Sequence, residues 1–339
     1  MIKEINLQNF RNHEEKNIYF KKKINVFLGE NGSGKTSILE AFFYALENSS
    51  FRTKKFQDLI RKEQNIAKIN LKLTDFNKLW KEFDIELSSI KKKSLLNGIE
   101  NVGLNKKIVS IPIFINNKLI NNFKYQKTTR QSLFNMLIKL DHKIYEKLLM
   151  DFDKLLISLQ DINNNSIVIN RSLKSEIVNS LSDLETEIIN IRTKKISNLN
   201  SFYKKNTKKY LKKELNVVYK KAITKDDNIL ENLLLKPPIT ITKDDYLITY
   251  NKDIYLKVAS DGQMKMAILL LAISFIEYLR KQYDLEFILL LDDIFSELDK
   301  KNSNLLLEIL IDKNLNSFIT SPKAKLEDKL KQKVQLIEI

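Results

Sequence analysis

The chain has no cysteine, four prolines, one tryptophan and only six glycines in 339 residues. Without cysteine there can be no disulfide, thiolate-held zinc, iron–sulfur cluster or thiol nucleophile, and a reducing compartment suits such a chain. The two histidines, His13 and His142, have no metal-ligand company and read as incidental. No Ser/His/Asp or Cys/His constellation supports hydrolase chemistry of that kind. Long hydrophobic runs are scarce too. The longest, from Met266 to Ile276, is too short to span a bilayer and reads as a core helix. The opening residues MIKEINLQNF lack the basic-then-apolar profile of a secretory leader. A cytoplasmic protein with no membrane association is the expectation.

Average usage would supply about 24 glycines, so the positions where glycine persists are informative. Four of the six, Gly29, Gly32, Gly34 and Gly262, fall in two short segments. Arginine is equally sparse, at seven against 51 lysines, and this skew looks like A/T-rich coding. It inflates a formal net charge of +16 that otherwise invites a nucleic-acid reading. The distribution says more than the total. Residues 1–60 carry +3 and residues 236–339 carry −1, whereas residues 61–235 carry +14. With 43% hydrophobic and 29% charged residues, the chain can bury a sizeable core.

Apolar alternation predicts N-terminal strands over 2–10, 18–20 and 24–28, then a helix over about 35–46. Stretches 66–73, 83–87 and 109–115 suggest an antiparallel sheet. The pattern turns helical from about 128 to 159. Leu173, Ile177, Leu181, Leu184, Ile188 and Ile191 then make a heptad-like seam in a segment, 171–215, free of Gly and Pro. That segment reads as an arm or hairpin. Pro237 and Pro238 mark a lobe boundary. Beyond them come short strands at 239–242 and 246–250, a helix over about 263–282, an apolar strand 287–291, a helix 303–311 and a strand 317–320. Strand–helix alternation at both ends around a helical middle predicts an α/β fold. Its head is discontinuous, 1–125 with 236–339, and a helical, partly coiled-coil second lobe spans 126–235.

Residues 29–36, Gly29-Glu30-Asn31-Gly32-Ser33-Gly34-Lys35-Thr36, form a complete G-x-x-x-x-G-K-[ST] motif after a strand and before a helix. Glycines let backbone N–H groups close around a phosphate, and the helix N-terminus adds its dipole. Lys35 is expected to reach the β- and γ-phosphates of ATP, with Thr36 on Mg²⁺ and Ser37 beside it. Five apolar residues, 287–291, lead into Asp292 and Asp293, as in a buried parallel strand that offers carboxylates at its end. Asp292 is then the candidate Mg²⁺ ligand. Asp293 is the candidate for polarising the attacking water. Arg11 and Asn12 either approach the nucleotide or lie in an exposed loop.

Ser260-Asp261-Gly262-Gln263, ahead of a long apolar helix, resembles the S-x-G-Q signature of ABC ATPases, which binds the γ-phosphate held by a partner subunit. Asp299 occupies the D-loop position and can also cap the next helix. The segments NLQNFRNHEE, GENGSGKTSILEA, SSFRTKKFQDLIR and, near the end, ITKDDYLITYNKDIYLKVASDGQMK, FILLLDDIFSELD and SFITS are similar to the RecF family. So is the stretch from Lys127 to Asn135, although Gln131 there, Thr242 before the Asp244-Asp245 pair and Met264 after Gln263 depart from the usual residues. The resemblance implies an ABC-type P-loop ATPase with ATP and Mg²⁺ as cofactors and slow hydrolysis used as a switch. It also implies ATP-dependent homodimerisation on double-stranded DNA near single-strand gaps, and recombination-mediator partners.

Lys204, Lys208 and Lys212, with Lys205, Lys209 and Lys213, form two i, i+4 rows if the helix runs through them. Such a stripe either tracks a phosphate backbone or is a solvated face. An SMC-like scaffold ATPase that bridges DNA or protein is the alternative to a gap-repair role.

Overall fold

The computed structural model describes residues 1–75, 77–100, 110–164, 171–222, 241–283, 285–322 and 327–339. The chain divides into two compact units, one of Met1–Asn121 with Leu279–Ile339 and one of Asn122–Tyr278. The lobe boundary expected at residue 235 lies outside the described residues, as does Ile239. Residues 241–243 form a turn, where a strand was expected.

The first unit holds two sheets. In the antiparallel one, β1 (Ile2–Phe10) pairs with β2 (His13–Tyr19) across the two-residue turn Arg11-Asn12 and with β4 (Ile66–Thr74). The sheet continues through β5 (Trp80–Ser88), β6 (Lys92–Leu96) and β7 (Ile99–Glu100). Period-two alternation drives Ala67, Ile69, Leu71 and Leu73 of β4 inward, the pattern of a sheet with one wet face.

The second sheet is wholly parallel, in the order β14 (Gln335–Glu338), β3 (Ile24–Leu28), β13 (Asn316–Ser321), β12 (Phe287–Asp292) and β8 (Ile111–Asn116). Residues 111–115 of the stretch 109–115 therefore do not join the antiparallel sheet, as the sequence suggested, and residue 109 lies outside the described residues. β8 runs parallel to β12 with Ile111 opposite Phe287, and buries Ile111, Pro112, Ile113 and Ile115. Burial on both faces suits a parallel strand, and its edge position tolerates the missing N–H of Pro112. Helix α1 (Lys35–Glu47) follows β3. Its Phe42 lies 4.5 Å from Phe318 between ring centroids, in a core that also takes Phe20, Phe27, Ile288 and Leu290.

The second unit is mainly helical. After α2 (Asn117–Tyr125) come α3 (Lys127–Asp141), α4 (Tyr145–Asn164) and α5 (Arg171–Leu211), the last about 62 Å long at 1.5 Å per residue. The heptad seam closes on α4: Leu181, Ile188 and Ile191 pack with Leu148, Phe152 and Leu159, while Ile177 and Leu184 join half-buried. A small sheet of β9 (Asn216–Lys220), β10 (Asp245–Tyr250) and β11 (Asp253–Ile254) follows. The helix Asp261–Gln282 is long and apolar enough to cross a membrane, but 83% of its most apolar stretch is buried within the protein. It is a core helix.

Buried polar pairs knit this unit together. Arg130 forms a fork with Asp245, Nε to Oδ1 at 2.8 Å and Nη2 to Oδ2 at 2.9 Å. Gln131 donates its amide to the carbonyls of Thr242 and Asp244 at 3.0 and 2.6 Å, so this departure from the family pattern still ties 131 to the 242–244 segment. Arg192, almost fully buried, takes Asp244 at 3.0 Å and the Tyr145 hydroxyl at 2.8 Å.

Candidate nucleotide site

A parallel sheet brings its strand ends to one edge, and three of those ends carry the polar groups. β3 runs into the glycine loop, β12 ends at Asp292, and β13 ends with Thr320 and Ser321. Gly32 and Gly34 have φ of +90° and +102°, a region that favours glycine. A Cβ on Gly34 would also lie 2.5 Å from the His13 ring, so conformation and packing both demand glycine there. A Cβ on Gly29 would meet the Ile339 carbonyl oxygen at 2.6 Å.

The buried Lys35 ammonium donates to the Gly29 and Glu30 carbonyls at 2.7 and 2.6 Å, folding over its own loop. Ser33 Oγ is buried without a hydrogen-bond partner, Ser37 is buried in α1, and Glu30 and Asn31 are exposed. Thr36 Oγ1 donates to Asp292 Oδ1 at 2.8 Å, across 256 residues of sequence. Thr320 Oγ1 donates to the same oxygen at 2.7 Å. Asp293 has φ +55°, and its Oδ1 is buried with no hydrogen-bond partner. Burial raises its pKa, and the neighbouring Asp292 charge adds to the rise. Asn31, Lys35, Thr36, Ser37, Asp292, Asp293 and Thr320 line a cavity of about 830 Å³, together with Arg11, Arg52, Arg61 and Lys62.

Arg11 is held by α1 as well as facing the cavity. Its guanidinium forks onto the fully buried Glu40, at 2.8 and 2.7 Å, and donates to the Asp58 carbonyl at 2.7 Å. Asn12 donates to the Gly32 carbonyl at 3.3 Å. His13 is not incidental. Its Nε2 lies 3.2 Å from the Gly34 carbonyl oxygen, and burial lowers its pKa. The strand pairing that sets it opposite Phe10, just after the turn, brings it there, and no sequence signal marked it. Thr320 lies in the SFITS segment that carries the family resemblance, but nothing in that segment assigned it a role.

Asp299 caps the helix Lys300–Asp312, accepting the Asn302 N–H at 2.7 Å. In the other unit, Ser260 and Gln263 cap each other reciprocally: Gln263 Oε1 accepts the Ser260 N–H at 3.2 Å and Ser260 Oγ accepts the Gln263 N–H at 3.4 Å. Asp261, beside Gly262, is exposed and paired with Lys124.

The lysine rows need correction. Helix α5 stops at Leu211, and Lys212 turns out of it with φ +57°. Lys204, Lys205, Lys208 and Lys209 stay on the helix, whereas Lys213 lies over the rings of Tyr250 and Tyr255, 5.6 and 5.3 Å from their centroids. Helical spacing assumed a continuous helix, and the turn breaks it.

Among the described residues, no group of three or more His, Cys, Asp or Glu forms a metal cluster. The donors at the cavity are instead the hard oxygens of Thr36 and Asp292, which suit Mg²⁺ when phosphates and water complete its shell. The unpartnered Asp293 oxygen and the glycine cradle fit the same group.

Fold and site together define an ABC-type P-loop ATPase head with a helical lobe. Residues 1–338 match the family model of the RecF/RecN/SMC N terminal domain. The DNA replication and repair protein RecF of Clostridium kluyveri is 30% identical over 353 residues, covering 94% of this chain and 92% of that protein. RecF of Acholeplasma laidlawii is 28% identical, covering 95% and 93%. Among solved structures, that of the recombination mediator protein RecF-ATP in the RecFOR pathway superposes with a TM-score of 0.77 at 21% identity, covering 96% of this chain and 93% of that one. An SMC head bound to the C-winged helix domain of ScpA gives 0.59 at 15% identity, covering 98% and 92%. The chain belongs to the RecF/RecN/SMC N terminal domain family, and within it to the RecF proteins.

Proposed function

We propose that this chain is a cytoplasmic ATP-dependent DNA replication and repair protein that binds ATP in the glycine-loop cavity and hydrolyses it slowly. The observation that carries the reading is the 2.8 Å bond from Thr36 to Asp292, which joins the phosphate loop to the acidic strand end. Lys35 is poised to leave the Gly29 and Glu30 carbonyls for the β- and γ-phosphates. Residues 29–37 cradle the triphosphate, and Arg11 and Asn12 shape the cavity beside it. Thr36 and Asp292 would hold Mg²⁺, which when bound offsets phosphate charge and polarises the γ-phosphoryl group. Asp293 orients the attacking water. Its raised pKa makes it a better proton acceptor than an ordinary aspartate, although its side chain is one methylene shorter than a glutamate's.

Ser260, Asp261, Gly262 and Gln263 bind the γ-phosphate of a second copy, and Asp299 takes the D-loop role. Two heads thus sandwich two nucleotides. Binding closes the dimer on duplex DNA beside single-strand gaps, with 126–235 as the second lobe; hydrolysis reopens it and acts as a switch. Recombination mediators are the expected protein partners. The SMC-like scaffold reading has the SMC-head likeness behind it, but that likeness is weaker than the one to RecF. Light scattering with Asp293→Asn protein tests the proposal. ATP should double the mass, and a protein that binds ATP yet stays monomeric would refute the sandwich. Binding to gapped, duplex and single-stranded DNA in one salt series separates the two readings, since a scaffold would show no preference for gaps.

A further inference from the structure

Thr320 stands outside every motif of the nucleotide site, yet its hydroxyl joins both acidic residues. Its Oγ1 accepts the Asp293 N–H at 2.8 Å and donates to Asp292 Oδ1 at 2.7 Å. At 1% exposure it has no bulk water to exchange with. Its one proton goes to Asp292 and a lone pair to Asp293, so the hydroxyl has a defined direction. The parallel register that sets Ile319 beside Leu291 brings the next residue, Thr320, level with Asp292. On the far side of Asp293, Asn117 Nδ2 and Ser296 Oγ donate to its carbonyl at 2.7 and 2.8 Å. The left-handed Asp293 backbone is thus gripped through both its N–H and its C=O.

Asp292 Oδ1 has two donors of different kinds. Thr36 rides on the phosphate loop, whereas Thr320 belongs to the sheet. The second is held by strand pairing and not by the loop. We propose that Thr320 is a positioning residue. It aims the Asp292 carboxylate at the cation and sets the orientation of Asp293, so that metal affinity and water activation depend on one hydroxyl. This rests on the nucleotide reading of the cavity given above.

Thr320→Val keeps the shape and removes the hydroxyl, and Thr320→Ser keeps the hydroxyl. Outer-shell partners of metal ligands typically contribute 10- to 100-fold to metal affinity or activity. In a Mg²⁺ titration of fluorescent ATP-analogue binding, Thr320→Val should raise the Mg²⁺ midpoint about tenfold. It should lower kcat by about 10- to 100-fold, while nucleotide binding without Mg²⁺ stays unchanged. Thr320→Ser should restore both toward wild type. If the valine variant does not fold, Thr320→Ala is judged by the same titration. A merely structural role would lower Tm and leave the Mg²⁺ midpoint in place. That result would overturn the inference while leaving the nucleotide reading intact. A wild-type protein with no Mg²⁺-dependent nucleotide binding would overturn both.

Discussion

Lys124 Nζ lies 2.8 Å from Asp261 Oδ1, pairing residues 137 positions apart. Asp261 sits in the segment proposed to meet the partner's γ-phosphate, where an uncompensated carboxylate would repel it. The Lys124 hydrogen bond and charge lower the Asp261 pKa, keeping it ionised, and at the same time offset its charge. Lys124→Met should therefore weaken ATP-dependent dimerisation by up to about fivefold, the upper limit for an exposed ion pair. Adding Asp261→Asn should restore it. Sedimentation at low and high salt checks this, and the difference should shrink as salt rises.

The loop glycines differ in what they resist. Gly32 has φ +90° but open space around its missing Cβ, whereas Gly34 combines φ +102° with a His13 contact at 2.5 Å. Gly32→Ala should cost about 1–2 kcal/mol of stability from backbone strain alone. Gly34→Ala should cost more and abolish nucleotide binding. Urea unfolding and ATP-analogue fluorescence measure the two effects.

Burial and the nearby Asp244 charge push the Glu185 carboxyl up to about 7, and its Oε1 is buried without a partner. The native state therefore holds a proton between about pH 4.5 and 7 that the unfolded chain has released. The protonated Glu185 favours folding below that window, and stability falls as pH rises through it. Glu185→Gln should flatten this fall and give a higher Tm than wild type at pH 8, with the difference narrowing toward pH 5. Thermal unfolding across pH 4.5 to 8 shows which holds; equal curves at every pH would refute it.

For DNA, the helical lysines and Lys213 should behave differently. Lys205→Glu should weaken duplex binding and reduce the salt slope by about one for the lost phosphate contact. Lys213→Met should leave the slope unchanged and lower Tm instead, because its ammonium lies over Tyr250 and Tyr255. Fluorescence anisotropy in a salt series separates the two.

Much of this protein is legible without coordinates. The order Gly29 to Thr36 after an apolar strand, and Asp292-Asp293 after another, mark the nucleotide chemistry because glycine conformation and carboxylate placement are local properties. The helices around 35–47, 261–282 and 300–312 follow from periodicity. So does the seam on α5, since 3.6-residue spacing is also local.

Tertiary structure decided what lies beside what. Strand pairing is non-local, so an apolar run such as Ile111–Asn116 cannot declare whether it joins a parallel or an antiparallel sheet. Thr320 reaches Asp292 only because β13 lies beside β12, and Lys124 finds Asp261 only in the folded second unit. Helix ends also depend on their surroundings, and the turn at Lys212 sends Lys213 to two tyrosines instead of along a lysine row. The chain alone therefore marked the phosphate loop and the acid pair. Folding chose the hydroxyl, the ion pair and the lysine positions around them, because those depend on distances that sequence separation does not set.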